Sequence, residues 1–111
     1  MHITAFLALA DPVRFRIVEA LRGGEHAVNA IVEKVGIHQS GVSRHLRILH
    51  EAGFVRVRAD GPKRLYSLRS QPFRELDAWV TRFRSSWEAR LDRFAAELDR
   101  RARGRATPRR Q

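Results

Sequence analysis

Two short helical segments separated by a three-residue turn limit the possible folds of this 111-residue chain more than any other feature. The first is predicted to begin at Asn29, whose side chain serves as the N-cap, and it has apolar residues at helical spacing. Gly36 ends this helix, because glycine readily adopts the left-handed conformation that closes a helix. The second is predicted over residues 39–52 and ends before Gly53. Two helices joined by a short, glycine-led turn are the helix-turn-helix motif.

Two further helices are predicted before this motif. Asp11 supplies an N-cap acceptor and Pro12 suits the first helical position, so a helix begins there and continues to residue 22. Gly23 and Gly24 then end it. Residues 3–10 form another short helix.

A basic hairpin is predicted after the motif. Apolar residues alternate with Arg56 and Arg58, which indicates a strand with one basic face in contact with water. Residues 60–63 have turn-forming composition, and a second strand returns with Tyr66 and Leu68 facing inward. We therefore expect an α+β, mostly helical fold, a winged helix-turn-helix whose wing is a two-stranded β-hairpin.

A long C-terminal helix is predicted from Pro72 onward. Eight apolar residues from Phe73 to Leu98 recur at steps of three and four, and they fall within an arc of about 80° on a helix. The helix would be about 40 Å long, which is too long for one small domain to cover. We therefore expect a second copy of the chain to cover this stripe by coiled-coil-like packing. Residues 1–99 are expected to form the DNA-binding and dimerisation domain, and residues 100–111 a basic, disordered tail.

Positive charge is concentrated in the middle and at the end of the chain, whose formal net charge is +10. Residues 38–69 contain seven basic and two acidic residues, and residues 100–111 contain six arginines and no acidic residue. This distribution favours a polyanion such as nucleic acid as the binding partner, because each Lys or Arg placed on a phosphate releases condensed counterions. An anionic membrane is the rival partner, but the middle segment lacks a basic amphipathic helix with exposed aromatic residues.

Other classes of function find little support in the sequence. The chain has no cysteine, which excludes disulfides and thiolate metal sites. It has neither a signal-peptide pattern nor an apolar run long enough to span a bilayer, so we expect a soluble, cytoplasmic protein. We expect that the protein is not an enzyme. Ser43 and His45 lie about 200° apart on a helix, so they cannot form a nucleophile–base pair. The sequence also has no glycine-rich phosphate loop and no pair of carboxylates placed for acid-base catalysis.

The second motif helix and the hairpin carry the candidate DNA-binding residues. The polar face of the helix suits a major groove, since glutamine pairs with adenine, arginine with guanine, and serine with phosphate. The alternative is a polar face that only contacts water. The hairpin would contact phosphates or the minor groove, unless its charges only guard a sheet edge. The predicted DNA-binding residues are Gln39, Ser40, Val42, Ser43, Arg44, Arg47, Arg56, Arg58, Lys63 and Arg64.

Four stretches together resemble the ArsR/SmtB family of winged-helix repressors, within an overall resemblance over residues 8–98. They are LADPVR at residues 9–14, QSGVSRHL at residues 39–46, LHEAGFV at residues 49–55 and YSL at residues 66–68. The resemblance implies a homodimer that binds an operator, usually as a repressor. Family DNA contacts map to Gln39, Ser40, Ser43 and Arg44.

The same resemblance implies that the first and last helices form the dimer interface. The predicted interface residues are Phe6, Leu76, Val80, Phe83, Trp87, Leu91 and Phe94. We therefore expect a sequence-specific transcriptional regulator, a repressor that binds an inverted-repeat operator as a homodimer. The alternative is a winged-helix module for nonspecific nucleic-acid binding or protein docking.

The sequence departs from the family at its metal sites. Family members that sense soft metals often have a Cys-x-Cys pair where this chain has residues 27–29, and others use histidines of the last helix, which are absent from residues 72–99. We therefore expect no metal or other cofactor, although an intersubunit site using His2 or His26 is an alternative. His38 replaces the family's usual serine N-cap, so the helix start is either looser or tuned by protonation.

Overall fold

The computed structural model describes residues 3–106, which contain five α-helices and three β-strands. The helices are α1 (Ile3–Leu9), α2 (Pro12–Ala20), α3 (Val28–Val35), α4 (Gln39–Glu51) and α5 (Ser70–Ala106). The strands are β1 (His26–Ala27), β2 (Val55–Asp60) and β3 (Lys63–Leu68), and a short 3-10 helix, Leu21–Gly23, follows α2. This order confirms the predicted winged helix-turn-helix.

The chain divides into two compact units, one ending at Leu76 and the other beginning at Asp77. The first unit contains α1 to α4, the sheet and the beginning of α5. Its core consists of apolar side chains from the helices, the loop after α4 and the start of β2. They are Ala8, Ile17, Val18, Leu21, Ile31, Val35, Val42, Leu46, Leu49, Phe54 and Val55.

The beginning of α2 follows the prediction from Asp11 and Pro12. Oδ1 of Asp11 accepts hydrogen bonds from the backbone N–H groups of Val13, at 2.8 Å, and Arg14, at 3.1 Å. These bonds satisfy two of the donors that a helix N-terminus leaves unpaired. The same bonds, that from Arg14 first, hold the pKa of the Asp11 carboxyl below its ordinary value of 3.8.

The predicted N-cap of α3 was wrong. Ala27 occupies the N-cap position with extended backbone, no side chain caps the helix, and Asn29 lies inside its first turn. The reason is β1, which leads directly into α3 and leaves no loop residue between them.

A third strand joins the predicted hairpin. The sheet order is β1-β3-β2, with both pairs antiparallel. His26 lies opposite Tyr66 and Ala27 opposite Leu65. The hairpin itself was predicted correctly, but the strand that connects it to the helix-turn-helix was not.

Helix α5 has 37 residues and is about 55 Å long by the helical rise per residue. It continues to Ala106, so the prediction of disorder was wrong for residues 100–106. Arg100 and Arg101 both donate to the carboxylate of Glu97, and cations are favourable at the C-terminal end of a helix dipole. Residues 107–111 lie outside the described residues, as does His2. No helix among residues 3–106 is long and apolar enough to cross a bilayer.

Candidate nucleic-acid interface

The turn between α3 and α4 fixes the position of the predicted recognition helix, α4. Gly36 has a φ of 78° and closes α3 by donating from its N–H to the carbonyl of Val32 at 2.8 Å. A β-carbon at Gly41 would lie 3.2 Å from Cδ1 of Ile37. Absence of a side chain at this position therefore allows the first turn of α4 to pack closely against the turn.

His38 caps the recognition helix in place of the family's serine. Its Nδ1 accepts a hydrogen bond from the backbone N–H of Ser40 at 3.2 Å and lies 2.9 Å from Oγ of the same residue. An accepting Nδ1 must be unprotonated, so the cap requires this nitrogen to be free of a proton. Of the two expectations for this helix start, the looser one is not observed, because the cap is formed.

One exposed face of α4 brings together four of the six DNA-binding residues predicted on this helix. Ser40, Ser43, Arg44 and Arg47 line one open depression on the surface. Among the residues that the structure describes, no carboxylate forms an ion pair with either arginine. Both guanidinium groups are therefore available to an external anion or base edge.

Val42 does not belong to this face, so its prediction as a DNA-binding residue was wrong. Its side chain is 0% exposed and lies in the core with Leu46 and Leu49. These positions recur at steps of four and three, which places them on the side of α4 that packs against the rest of the first unit.

A groove beside α4 connects the recognition helix to the wing. Gln39 lines it together with Lys63 and Arg64 of the hairpin and with residues 27–30 at the beginning of α3. Helix α3 has no side-chain cap, so its first N–H groups have no side-chain acceptor. Basic side chains next to N–H groups that no side chain caps form a surface that suits a phosphate. Glu33 also lines the groove and is its acidic member.

Arg58 is held by a carboxylate rather than left open to a phosphate. Its Nη2 donates to Oε1 of Glu25 at 2.7 Å, and its Nε donates to Oε2 at 3.1 Å. The bond from Arg58 also lowers the pKa of the Glu25 carboxyl below 4.5, its ordinary value. This bidentate pair attaches β2 to the segment before β1, which corrects the prediction that Arg58 is a free phosphate contact. No local pattern could have indicated this ion pair, because the two residues are 33 positions apart.

The remaining wing residues are open. Arg56, Lys63 and Arg64 are exposed, and within residues 3–106 none of them pairs with a carboxylate. They stay predicted phosphate contacts.

The predicted interface residues of α5 beyond Leu76 are all exposed in the single chain. Val80 is 40% exposed, Phe83 52%, Trp87 43%, Leu91 57% and Phe94 62%. Leu76 and Phe6 are partly buried. The prediction omitted Trp79, whose ring stacks on Phe83 with a centroid distance of 5.4 Å and contributes to the same apolar surface. Its spacing of four residues from Phe83 was the available signal.

The described residues contain no group of three or more His, Asp or Glu side chains arranged to hold a metal ion. His26, one of the two histidines considered for an intersubunit site, has its Nε2 3.0 Å from Nζ of Lys34 and its Nδ1 2.8 Å from the carbonyl of Gly24.

Comparisons with known proteins place this chain among regulators of transcription. A family described as "Helix-turn-helix domain" matches residues 9–58. An uncharacterized HTH-type transcriptional regulator of Mycobacterium tuberculosis is 35% identical over 103 residues, which are 92% of this chain and 89% of the relative. A probable mercury resistance operon repressor of Streptomyces lividans is 43% identical over 63 residues, 57% of this chain, and the match spans only half of that relative.

Solved structures show the same fold. The crystal structure of an ArsR family transcriptional regulator superposes with a TM-score of 0.69 at 26% identity, covering 78% of this chain and 89% of that one. A homodimeric winged helix-turn-helix DNA-binding domain from Mycobacterium bovis, described as a possible ArsR-family regulator, superposes with a TM-score of 0.62 at 29% identity. That match covers 75% of this chain and 77% of the other.

Proposed function

The chain belongs to the ArsR/SmtB family of helix-turn-helix transcriptional regulators, and on this premise we propose that it is a sequence-specific repressor that binds an inverted-repeat operator as a homodimer. Like its relatives, it is a DNA-binding regulator and not an enzyme. A repressor of this kind acts by occupying DNA that the transcription machinery needs.

The observation that carries the proposal is the unpaired, exposed face of α4. Ser40, Ser43, Arg44 and Arg47 share one depression there, and the first three lie in the N-terminal half of this 13-residue helix. A helix of this length fits the major groove, where arginine bonds guanine in a bidentate manner and glutamine bonds adenine. Arg44 and Gln39 are the proposed base contacts, and Ser40 and Ser43 are the proposed phosphate contacts.

The groove between Gln39 and the wing supports a second, sequence-independent contact. Lys63 and Arg64 line it beside the uncapped end of α3, so a phosphate there would meet cationic side chains and unpaired N–H groups together. Such contacts fix the register of α4 on the duplex without reading sequence. The arginines at the end of α5 would add further phosphate contacts.

Dimerisation explains the apolar surface of α5. Large exposed apolar surfaces on small proteins mark interaction sites, and a second copy offers the same stripe in return. The related domain from Mycobacterium bovis is described as homodimeric. A two-fold dimer would present its recognition helices to successive major grooves about 34 to 36 Å apart, which is the geometry of an inverted repeat.

The test is selection of bound sequences from a random duplex pool by the full chain at physiological salt. We expect an inverted repeat to be enriched. Arg44→Ala should then weaken binding to the selected site by about tenfold to a hundredfold, while binding to random duplex changes much less. Arg82→Ala is the matched control, because it removes the same charge from an exposed position on α5.

Two outcomes would contradict the proposal. Binding without any enriched motif would identify a nonspecific nucleic-acid or protein-docking module. Equal losses by Arg44→Ala on selected and random duplexes would move Arg44 from the base contacts to the phosphate contacts.

A further inference from the structure

The side chain of Arg14 connects α1 with the recognition helix. Its Nη2 donates to the carbonyl of Leu7 at 3.2 Å, and its Nε makes a short hydrogen bond to the carbonyl of Ala8. Its Nη1 lies 3.3 Å from Nδ1 of His45 in α4. One guanidinium group at the start of α2 therefore contacts both α1 and α4.

The chemistry of this contact defines the state of His45. A guanidinium group stays protonated and only donates hydrogen bonds, so Nδ1 of His45 must accept. An accepting Nδ1 leaves the ring neutral, with its proton on Nε2. The carbonyls of Leu7 and Ala8 belong to the last turn of α1, and that of Leu7 also accepts from the backbone N–H of Ala10 at 3.3 Å. Arg14 supplies donors to both.

His45 lies where a small displacement changes the DNA-facing surface. It is 9% exposed, and it precedes the fully buried Leu46 and follows the exposed Arg44. The other buried side chains of α4 are apolar, and apolar contacts have no preferred direction. The bond from Arg14 is directional, so it restricts rotation of α4 about its axis.

We propose that Arg14 is a positioning residue for DNA recognition, which fixes the orientation of α4 and makes it depend on the packing of α1. This inference rests on the proposed function. Helix α1 also carries exposed apolar side chains, Ile3 and Leu7, next to the predicted interface residue Phe6. A partner subunit packed on α1 would thus act on α4 through the carbonyls that Arg14 binds.

Protonation of His45 breaks this connection. A proton on Nδ1 would oppose two donors and two positive charges across the 3.3 Å contact. Within the described residues, the charged groups that the structure places against His45 are Arg14 and Asp11, both at the start of α2. The Asp11 carboxylate interacts favourably with both cations, but it is already bound to the backbone N–H groups of Val13 and Arg14. Affinity for the selected site should therefore be lower at pH 5.5 than at pH 8.

The test is a double-mutant cycle of Arg14→Lys and His45→Gln in the full chain. Lysine keeps the charge but cannot bond the α1 carbonyls and the ring at once, so we expect affinity for the selected site to fall about tenfold with little change on random duplex. Glutamine keeps an acceptor for Arg14 but does not titrate. His45→Gln should therefore bind as wild type does at pH 8 and lose less affinity than wild type at pH 5.5. At pH 5.5, where His45→Gln alone should bind more tightly than wild type, the same substitution should give a smaller gain in the Arg14→Lys background.

Arg22→Lys is the matched control, because Arg22 lies beyond the other end of α2 and, among residues 3–106, its side chain bonds only to the exposed Glu19. Thermal melting and solution mass show whether each variant is folded and dimeric, and His45→Gln provides the pH test even if Arg14→Lys unfolds. Equal losses by Arg14→Lys on both duplexes, or a pH profile of His45→Gln identical to wild type, would overturn the inference. Failure of wild type to enrich any sequence would instead overturn the proposed function.

Discussion

The two units of this chain use apolar residues in opposite ways. In the first unit, Ile17, Ile31 and Leu49 are 0% exposed and belong to one closed apolar core. In the second, Leu91 is 57% exposed and Phe94 62%. Both places contain large apolar residues, so composition alone does not distinguish a core from an exposed apolar stripe.

The two units therefore obtain their stability from different sources. A closed core stabilises the first unit at any concentration, because all of its contacts lie within one chain. A single exposed stripe gains burial only when another surface covers it, so its contribution depends on concentration. Substitutions in each unit can test this contrast.

Trp87→Glu should convert the proposed dimer into a monomer. A carboxylate in the middle of the stripe would have to lose its hydration when a second copy packs there, which is costly without a partner of opposite charge. We expect the dimer dissociation constant to rise by at least about a hundredfold, measured by analytical ultracentrifugation. Ser85→Glu adds the same charge to the opposite side of α5 and should leave the dimer intact. A dimer that survives Trp87→Glu would place the interface elsewhere.

Leu49→Ala and Leu91→Ala form a matched pair, because the same atoms are removed from a buried and from an exposed position. Leu49→Ala should lower the free energy of unfolding by about 2 to 5 kcal/mol at every protein concentration. Leu91→Ala should change the melting temperature only where wild type is dimeric. Chemical denaturation and thermal melting at two concentrations check both. If Leu91→Ala destabilised a dilute monomer as much as Leu49→Ala does, the contrast between core and stripe would be refuted.

Asp11→Ser should give the smallest change and shows whether the first unit also depends on charge. Serine keeps an N-cap acceptor but has no carboxylate. The difference in melting temperature between wild type and Asp11→Ser therefore measures the contribution of the ionised Asp11 carboxylate. Because folding lowers the pKa of Asp11, its ionised form stabilises the protein above pH 3.8, and that contribution is lost as the pH falls through the folded value. The difference in melting temperature between wild type and Asp11→Ser should therefore shrink below pH 4. A constant difference across this range would mean that the charge has no role.

The sequence predicted the features that depend on nearby residues. Asp11 and Pro12 located the start of α2, and Gly36 located the end of α3, because caps and left-handed backbone are set within one or two residues. Strand β1 was missed because its two residues become a strand only by pairing with β3, which is about 40 positions later. No local pattern reports such a pairing.

The candidate site was predicted less completely than the fold. The exposed face of α4 followed from helical periodicity, and the same periodicity should have excluded Val42, whose spacing from Leu46 and Leu49 marks the buried side. The Glu25–Arg58 and Arg14–His45 contacts join residues 33 and 31 positions apart. Side-chain contacts between distant segments require the folded backbone, so sequence reasoning could not supply them.

Strand β1 has a further consequence for the cost of docking. Ala27 ends β1 and is also the N-cap of α3, so the hydrogen bonds to β3 join the wing to the first helix of the motif without an intervening loop. A loosely attached wing would lose conformational entropy each time it settled on a duplex, and the complex would be weaker by that amount. Here the wing is already ordered before it meets DNA. The protein is therefore preorganised, so more of its contact energy is available for affinity.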